Sequence, residues 1–250
     1  MRKISASYII SNVGTPLKNG ILILNDDNSV ADLIDRKGSV KEIQNLEYYS
    51  GVLVPGFVDV FTCLSWPEIN AEGLNFKNWN ELSLGKSGDL PSIQKAINHL
   101  EAYGTKGAAD FFPSSISQTL KLKSRVSFRD VCKCSGDHKS NFLTEFPDSI
   151  LGRLFPNNIS LDKAFCIGTG SLSSHQKLSV FEELKYLQEI EPDLKLEQLI
   201  SWACLNGARL LGLDHLGSFD TGKKPGVNLI TNLNYEPLSL KPDSKLKVLV

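Results

Sequence analysis

Helical periodicity is confined to the middle of this chain, and that constrains the fold more than any other feature. Before residue 55 the apolar residues come in short runs: Tyr8 to Ser11, Ile21 to Leu24, Val30 to Ile34 and Val52 to Val54. Turn-forming residues separate them at Asn12-Val-Gly14, Lys18-Asn-Gly20 and Asn25 to Asn28. Short apolar runs between turn signals predict strands. Pro55-Gly56 ends that pattern. Phe57 to Thr62 predicts a further strand, and a segment that alternates strands with helices follows. The strongest helix is expected over Ser92 to Tyr103, where Ile93, Ala96, Ile97, Leu100 and Tyr103 share one face. Pro91 suits its start and Gly104 its end. Gly107 to Phe112, part of Ser124 to Val131, and Ala164 to Ile167 read as strands. Asn141 to Phe155 is expected to hold a short, Pro-interrupted helix. Leu178, Phe181, Leu184, Leu187 and Ile190 form one helical stripe, and Leu196, Leu199, Ile200, Ala203, Leu210 and Leu211 form another. Beyond Leu216 the chain returns to strands, at Val227 to Thr231 and Leu246 to Val250.

A β-only start, an alternating centre and a β-only end predict an α/β fold whose two termini meet in one small sheet domain. The expected boundaries are 1–54 with 216–250 for a composite β-sandwich, and 55–215 for the α/β part.

Composition narrows the function classes. The chain has 250 residues, 41% hydrophobic and 22% charged, with a net charge of −1. Such a chain supports a packed core. It has no basic excess for nucleic acid. No apolar run approaches the ~20 residues that cross a bilayer. The start, MRKISASYIISNVG, is interrupted by Ser5, Ser7 and Ser11, so no signal peptide is expected. Five scattered cysteines fit a reducing compartment better than a disulfide framework, which makes the cytoplasm the expected location.

Three stretches carry a family resemblance. Gly51-Val-Leu-Val-Pro-Gly-Phe-Val-Asp59 resembles the entry to the barrel in the amidohydrolase superfamily. Cys166-Ile-Gly-Thr-Gly-Ser-Leu-Ser-Ser174, with the helix after Leu178, resembles its last catalytic strand. Trp202-Ala-Cys-Leu-Asn-Gly-Ala-Arg-Leu-Leu-Gly212 and Leu216 to Ile230 resemble its closing helix and return to the sheet domain. The similarity is greatest to the chlorohydrolase and aminofutalosine-deaminase-like branch. It implies a (β/α)8 barrel flanked by a β-sandwich. It also implies a metal that activates water for attack on a carbon–nitrogen centre. The family's ligands are a His-x-His pair on the first barrel strand, histidines on two middle strands and an Asp on the last catalytic strand.

This chain departs from that pattern. The His-x-His positions fall on Phe61 and Cys63, and the acidic residue that often follows falls on Ser65. The metal-binding Asp is replaced by Gly170. Pro55 to Gly212 spans 158 residues, whereas complete barrels take ~200–250. Only 53 residues separate Phe112 from Cys166, too few for the middle strands and helices. The expected fold is therefore a truncated or distorted TIM-barrel-like domain.

Other candidate chemistry is sparse. Cys132-x-Cys134 with His138, and Asp137 beside it, has ligand-type residues without the usual zinc spacing, so incidental thiols are the simpler reading. Of the four histidines, His99 lies on the strong helix, His215 in the return turn, and His175 near the barrel mouth. Asp110, Glu182, Glu183 and Asp214 read as solvated or helix-terminal charges, and Lys223-Lys224 as a polar turn. Cys63, Ser65, Ser171 and His175 are the candidate pocket residues.

The resulting expectation is a catalytically inactive amidohydrolase homologue with a structural or binding role and no cofactor. Open sheet edges would pair with a second copy or a protein partner. The alternative is a hydrolase of non-peptide carbon–nitrogen bonds with a rebuilt site, the one case in which zinc would be expected.

Overall fold

The computed structural model describes residues 1–39, 43–65, 74, 76–83, 88–111, 113–131, 149–155, 159–160 and 164–250. The N-terminal strands are β1 (Arg2–Ile9), β2 (Leu17–Lys18), β3 (Ile21–Leu24), β4 (Val30–Ile34) and β5 (Leu46–Pro55). Asn19 and Asn28 adopt positive φ in the turns between them, a conformation asparagine tolerates better than most residues. The centre holds β6 (Phe57–Thr62), α1 (Phe76–Ser83), α2 (Leu90–Ala102), β7 (Thr105–Phe111), α3 (Ser115–Lys123), β8 (Ser127–Val131), β9 (Ile150–Leu151) and β10 (Cys166–Ile167). It continues with α4 (Val180–Ile190), α5 (Leu196–Ile200), a π-helical turn (Ser201–Asn206) and α6 (Gly207–Leu210). The chain closes with β11 (Val227–Thr231), β12 (Asn234–Tyr235), β13 (Leu238–Ser239) and β14 (Lys245–Val248).

The two ends of the chain share one sheet. Its order is β14-β11-β5-β1-β3-β4, with β2 also on β1. Strand β11 runs antiparallel to β5 with Leu229 opposite Leu53. A small hairpin, β12 with β13, stands apart from it.

The second sheet is parallel, in the order β8-β7-β6-β10-β9. Among the described residues these five strands form an open row. Every residue of β6 is buried, as expected of a parallel strand covered on both faces. Strand β6 pairs with β10, so an early and a late part of the chain lie side by side at the sheet's centre.

Local chemistry explains the helix ends. Asp89 accepts a hydrogen bond from the Ser92 amide at 2.9 Å, which caps α2. Ile93, Ala96, Ile97 and Leu100 are its buried face. Gly104 ends the helix at φ +73°, and its carbonyl accepts from the Phe57 amide and the Asn228 side chain, both at 2.9 Å. One helix end thus anchors both sheets. Ser179 caps α4 in the same manner.

Several expectations need correction. β1 begins at Arg2 rather than Tyr8. Most of the helix expected over Asn141 to Phe155 lies outside the described residues, and Ile150–Leu151 is a strand. Helices α1 and α3 carried no clear sequence signal. The buried positions of α3 are Ser117 and Lys121, which a hydrophobic pattern cannot find.

Candidate functional site

The carboxyl ends of β6, β7 and β10 converge on one region, where parallel α/β folds place their chemistry. Its centre is aromatic. Phe61 is fully buried and meets Phe111 at 4.4 Å, Phe155 at 5.0 Å and Trp79 at 5.5 Å between ring centroids. The contacts to Phe155 and Trp79 are edge-on, a favoured geometry worth about 0.5–1.5 kcal/mol beyond area burial. Trp79 comes from α1, Phe111 from the end of β7, and Phe155 follows β9. Gly168 leaves room for the ring, since a Cβ there would lie 2.8 Å from the Phe61 Cβ.

Beside this cluster the backbone is stitched tightly. The Phe61 carbonyl accepts from the Thr169 amide at 3.1 Å and the Gly170 amide at 2.9 Å, and the Gly170 carbonyl accepts from the Cys63 amide at 2.8 Å. Gly170 has φ +79°. A Cβ at that position would lie 2.9 Å from Leu154 Cδ2 and 3.0 Å from Ser174 Oγ. Position 170 is therefore shaped for glycine by its backbone and by its neighbours.

Cys63 is buried, and its thiol donates to the Ser65 carbonyl at 2.9 Å. Burial, and then the nearby Asp110 charge, push its pKa above the ordinary thiol range. Such a thiol is a poor nucleophile and a poor metal ligand at neutral pH. Ser65 and Ser171 are buried as well. Ser171 Oγ lies 2.5 Å from Ser173 Oγ, and the Trp79 indole donates to both hydroxyls, at 3.1 and 3.2 Å.

Three buried carboxylates surround this region. Asp59, within β6, accepts from the Phe61 and Thr169 amides at 3.1 and 3.2 Å and from the Thr169 hydroxyl at 2.5 Å. Burial outweighs these bonds and raises its pKa to about 7. Asp110, at the end of β7, is ion-paired with the buried Lys121, which also reaches Asp130 at 2.5 Å. Asp110 is raised to about 6, again chiefly by burial. Glu183, on α4, is fully buried against Arg153. Arg153 donates to it from its backbone amide at 2.8 Å, from Nε at 3.0 Å and from Nη2 at 2.6 Å. Asp110 and Glu183 are thus internal partners of cations rather than solvated charges. Asp59, Trp79, Lys121 and Arg153 were not singled out by sequence, because each acts through a distant partner.

A cleft of about 450 Å³ opens beside the cluster, lined by Leu74, Arg153, Ser174, His175, Gln176, Lys177 and Glu182. Of the four predicted pocket residues only His175 lines it, and Cys63, Ser65 and Ser171 are buried outside its lining. Burial, and then the Arg153 charge, lower the His175 pKa to about 4, so the ring is neutral at pH 7. Elsewhere, His99 packs on Tyr103, and His215 bonds Ser127 at 3.1 Å. Lys223 pairs with Asp220 within its turn, and Lys224 with Asp27 between β3 and β4. Cys132, Cys134, Asp137 and His138 lie outside the described residues. Among the described residues no three His, Cys, Asp or Glu side chains are grouped to hold a metal ion.

Comparison with known proteins agrees with the sequence resemblance. Residues 152–246 match the amidohydrolase family. Aminofutalosine deaminase from Helicobacter pylori, solved with methylthio-coformycin, superposes with a TM-score of 0.65 at 12% identity, over 94% of this chain and 93% of that one. Atrazine chlorohydrolase from Arthrobacter aurescens, solved with zinc, gives 0.62 at 12% identity, over 91% of this chain and 86% of that one. No curated protein sequence matches. The family match thus covers the C-terminal part of the chain, and the likeness to these solved structures shows a shared fold. The strand ends carry Phe61, Cys63 and Gly170, the positions to which the sequence resemblance assigns the metal ligands. These residues do not fit a metal. Phe61 has no donor atom, Cys63 is held protonated by burial, and Gly170 has no side chain. No described helix is long and apolar enough to cross a membrane.

Proposed function

We propose that this protein is a catalytically inactive amidohydrolase homologue, a shortened barrel with a sandwich-like sheet domain, that has kept the fold and given up the metal. It serves a binding or structural role in the cytoplasm without a cofactor. One observation carries this reading: the space where ligands would converge is filled by Phe61, Phe111, Phe155 and Trp79. An aromatic core of this kind stabilises the strand ends and offers no lone pair to a cation.

The direct test is assay and metal content together. Purified protein incubated with zinc, iron or manganese is expected to hydrolyse no amino-heterocycle, amide or chlorotriazine. Turnover that requires one of these ions would overturn the proposal. The same reading assigns the outer strands β8 and β9 to pairing with a second copy or a protein partner, because among the described residues they end the parallel sheet. Sedimentation velocity at micromolar concentration is expected to show self-association, or complex formation with a co-purified partner. A monodisperse monomer that captures nothing would count against that assignment.

The alternative is a hydrolase of carbon–nitrogen bonds with a rebuilt site. It is favoured by one contact: a Cβ on Gly170 would lie 3.6 Å from His175 Nδ1, which puts an imidazole beside the position of the lost carboxylate. Hydrolysis that survives chelation and disappears in His175→Gln would establish it.

A further inference from the structure

The hydrogen bonds around His175 fix which ring nitrogen carries the proton. Ser174 Oγ lies 2.9 Å from the Ser171 carbonyl oxygen, which can only accept. The single hydroxyl proton of Ser174 is therefore spent on that carbonyl. The same oxygen accepts from the Ser171 amide at 3.2 Å. It also lies 2.9 Å from His175 Nδ1. With its proton committed, Ser174 Oγ can only accept from the ring, so Nδ1 is the protonated nitrogen. In the neutral imidazole, Nε2 is then an unprotonated acceptor. Among the described residues it has no hydrogen-bond partner, and the ring lines the 450 Å³ cleft.

The charged groups about the cleft complement that acceptor. Arg153 contributes its guanidinium edge, with Nε and Nη2 held by Glu183. Lys177 is exposed and lies over the Tyr103 ring at 5.8 Å. Glu182 is paired with Lys185 at 2.9 Å. Of the cleft's lining side chains, Arg153 and Lys177 are cationic and Glu182 is anionic, which leaves a modest positive balance. The cleft therefore presents cationic donors beside the neutral acceptor of His175. A ligand that satisfies both must be negatively charged and must also carry a proton to donate.

We propose that this cleft binds a small oxyanion bearing an O–H group, such as hydrogen phosphate or a phosphate ester with a free hydroxyl. The O–H donates to His175 Nε2 while the charged oxygens accept from Arg153 and Lys177. A fully deprotonated oxyanion of the same size meets the His175 lone pair with its own lone pairs and is rejected. This deepens the reading of the chain as a binding protein. It fails separately from that reading, because the metal test does not involve His175.

The experiment compares inorganic phosphate with sulfate near pH 6, where phosphate keeps a proton and sulfate has none. Long-range 1H–15N spectra of uniformly labelled protein, with His175→Gln to assign the signal, report the tautomer directly. The expected spectrum shows an Nδ1–H ring, with phosphate shifting the Nε2 resonance saturably and sulfate leaving it unmoved. Phosphate affinity is expected to fall at least about tenfold in His175→Gln and in the exposed-site variant Lys177→Ala. An Nε2–H tautomer, equal responses to both anions, or no response to phosphate would each overturn the proposal. A response unchanged in both variants would do the same.

Discussion

Restoring the family's carboxylate by Gly170→Asp tests the central geometry of the strand ends. Gly170 sits at φ +79°, where a side-chain-bearing residue costs about 1–2 kcal/mol. Its new Cβ would lie 2.9 Å from Leu154 Cδ2 and 3.0 Å from Ser174 Oγ. Leu154 and Ser174 are both buried, so relief of that contact must displace packed atoms, at about 1–3 kcal/mol. The carboxylate gains no cation from Phe61 or Cys63 to offset its desolvation. The expected loss exceeds the about 2–5 kcal/mol to which the backbone and Cβ costs sum, and is read as a fall in the urea midpoint at unchanged slope. Gly170→Ala separates the terms, since it carries the backbone and Cβ costs without the carboxylate. It is expected to lose about 2–5 kcal/mol, less than the Asp variant. An Asp variant as stable as the parent, and able to hold a metal ion, would refute the argument that position 170 has been remade around glycine.

Phe61→Ala should cost about 3–5 kcal/mol in chemical denaturation, because it opens a cavity among Trp79, Phe111 and Phe155; a loss under about 1 kcal/mol would show that the cluster is not close-packed. Asp59 is raised from the ordinary aspartate value to about 7, so its contribution is complete below the unfolded pKa and is lost as pH rises through 7. These carboxyl groups should therefore pull stability down as pH rises from about 4 to 7, against the opposite pull of His175, and Asp59→Asn should remove part of that fall, because Asp110 and Glu183 are raised in the same direction; an unchanged slope would remove Asp59 from the account. Removal of Arg153 leaves the Glu183 carboxylate buried without its cation, so Arg153→Met should cost about 3–5 kcal/mol. Adding Glu183→Gln should recover part of that loss, and a double variant no better than the single would show that the pair is not coupled.

Much of the fold was legible because burial and periodicity agree. Ile21 to Leu24, Val30 to Ile34, Phe57 to Thr62 and Val227 to Thr231 are apolar runs between turn residues, and each is a strand with those bounds. α2 was readable from its stripe, its proline and its glycine stop. β1 was read late because Arg2, Lys3, Ser5 and Ser7 dilute its apolar side. α3 was invisible because Lys121 is buried for its ion pair with Asp110 rather than for hydrophobicity. The π-helical turn at Ser201–Asn206 has no periodic signature, and its Asn206 side chain donates to the Phe165 carbonyl at 2.8 Å. At the strand ends, the family resemblance pointed to Phe61, Cys63 and Gly170. The aromatic cluster around Phe61 was not legible, since Trp79, Phe111 and Phe155 reach it from three separate parts of the chain.

The central claim is that the strand ends no longer hold a metal ion. Elemental analysis by plasma mass spectrometry tests it most directly, on tag-free protein dialysed after incubation with zinc, iron and manganese. A Cys132→Ser/Cys134→Ser/His138→Gln variant analysed in parallel separates any ion held by those three side chains. The account predicts far less than one equivalent of each metal in that variant. About one equivalent per chain, retained through dialysis, would contradict it.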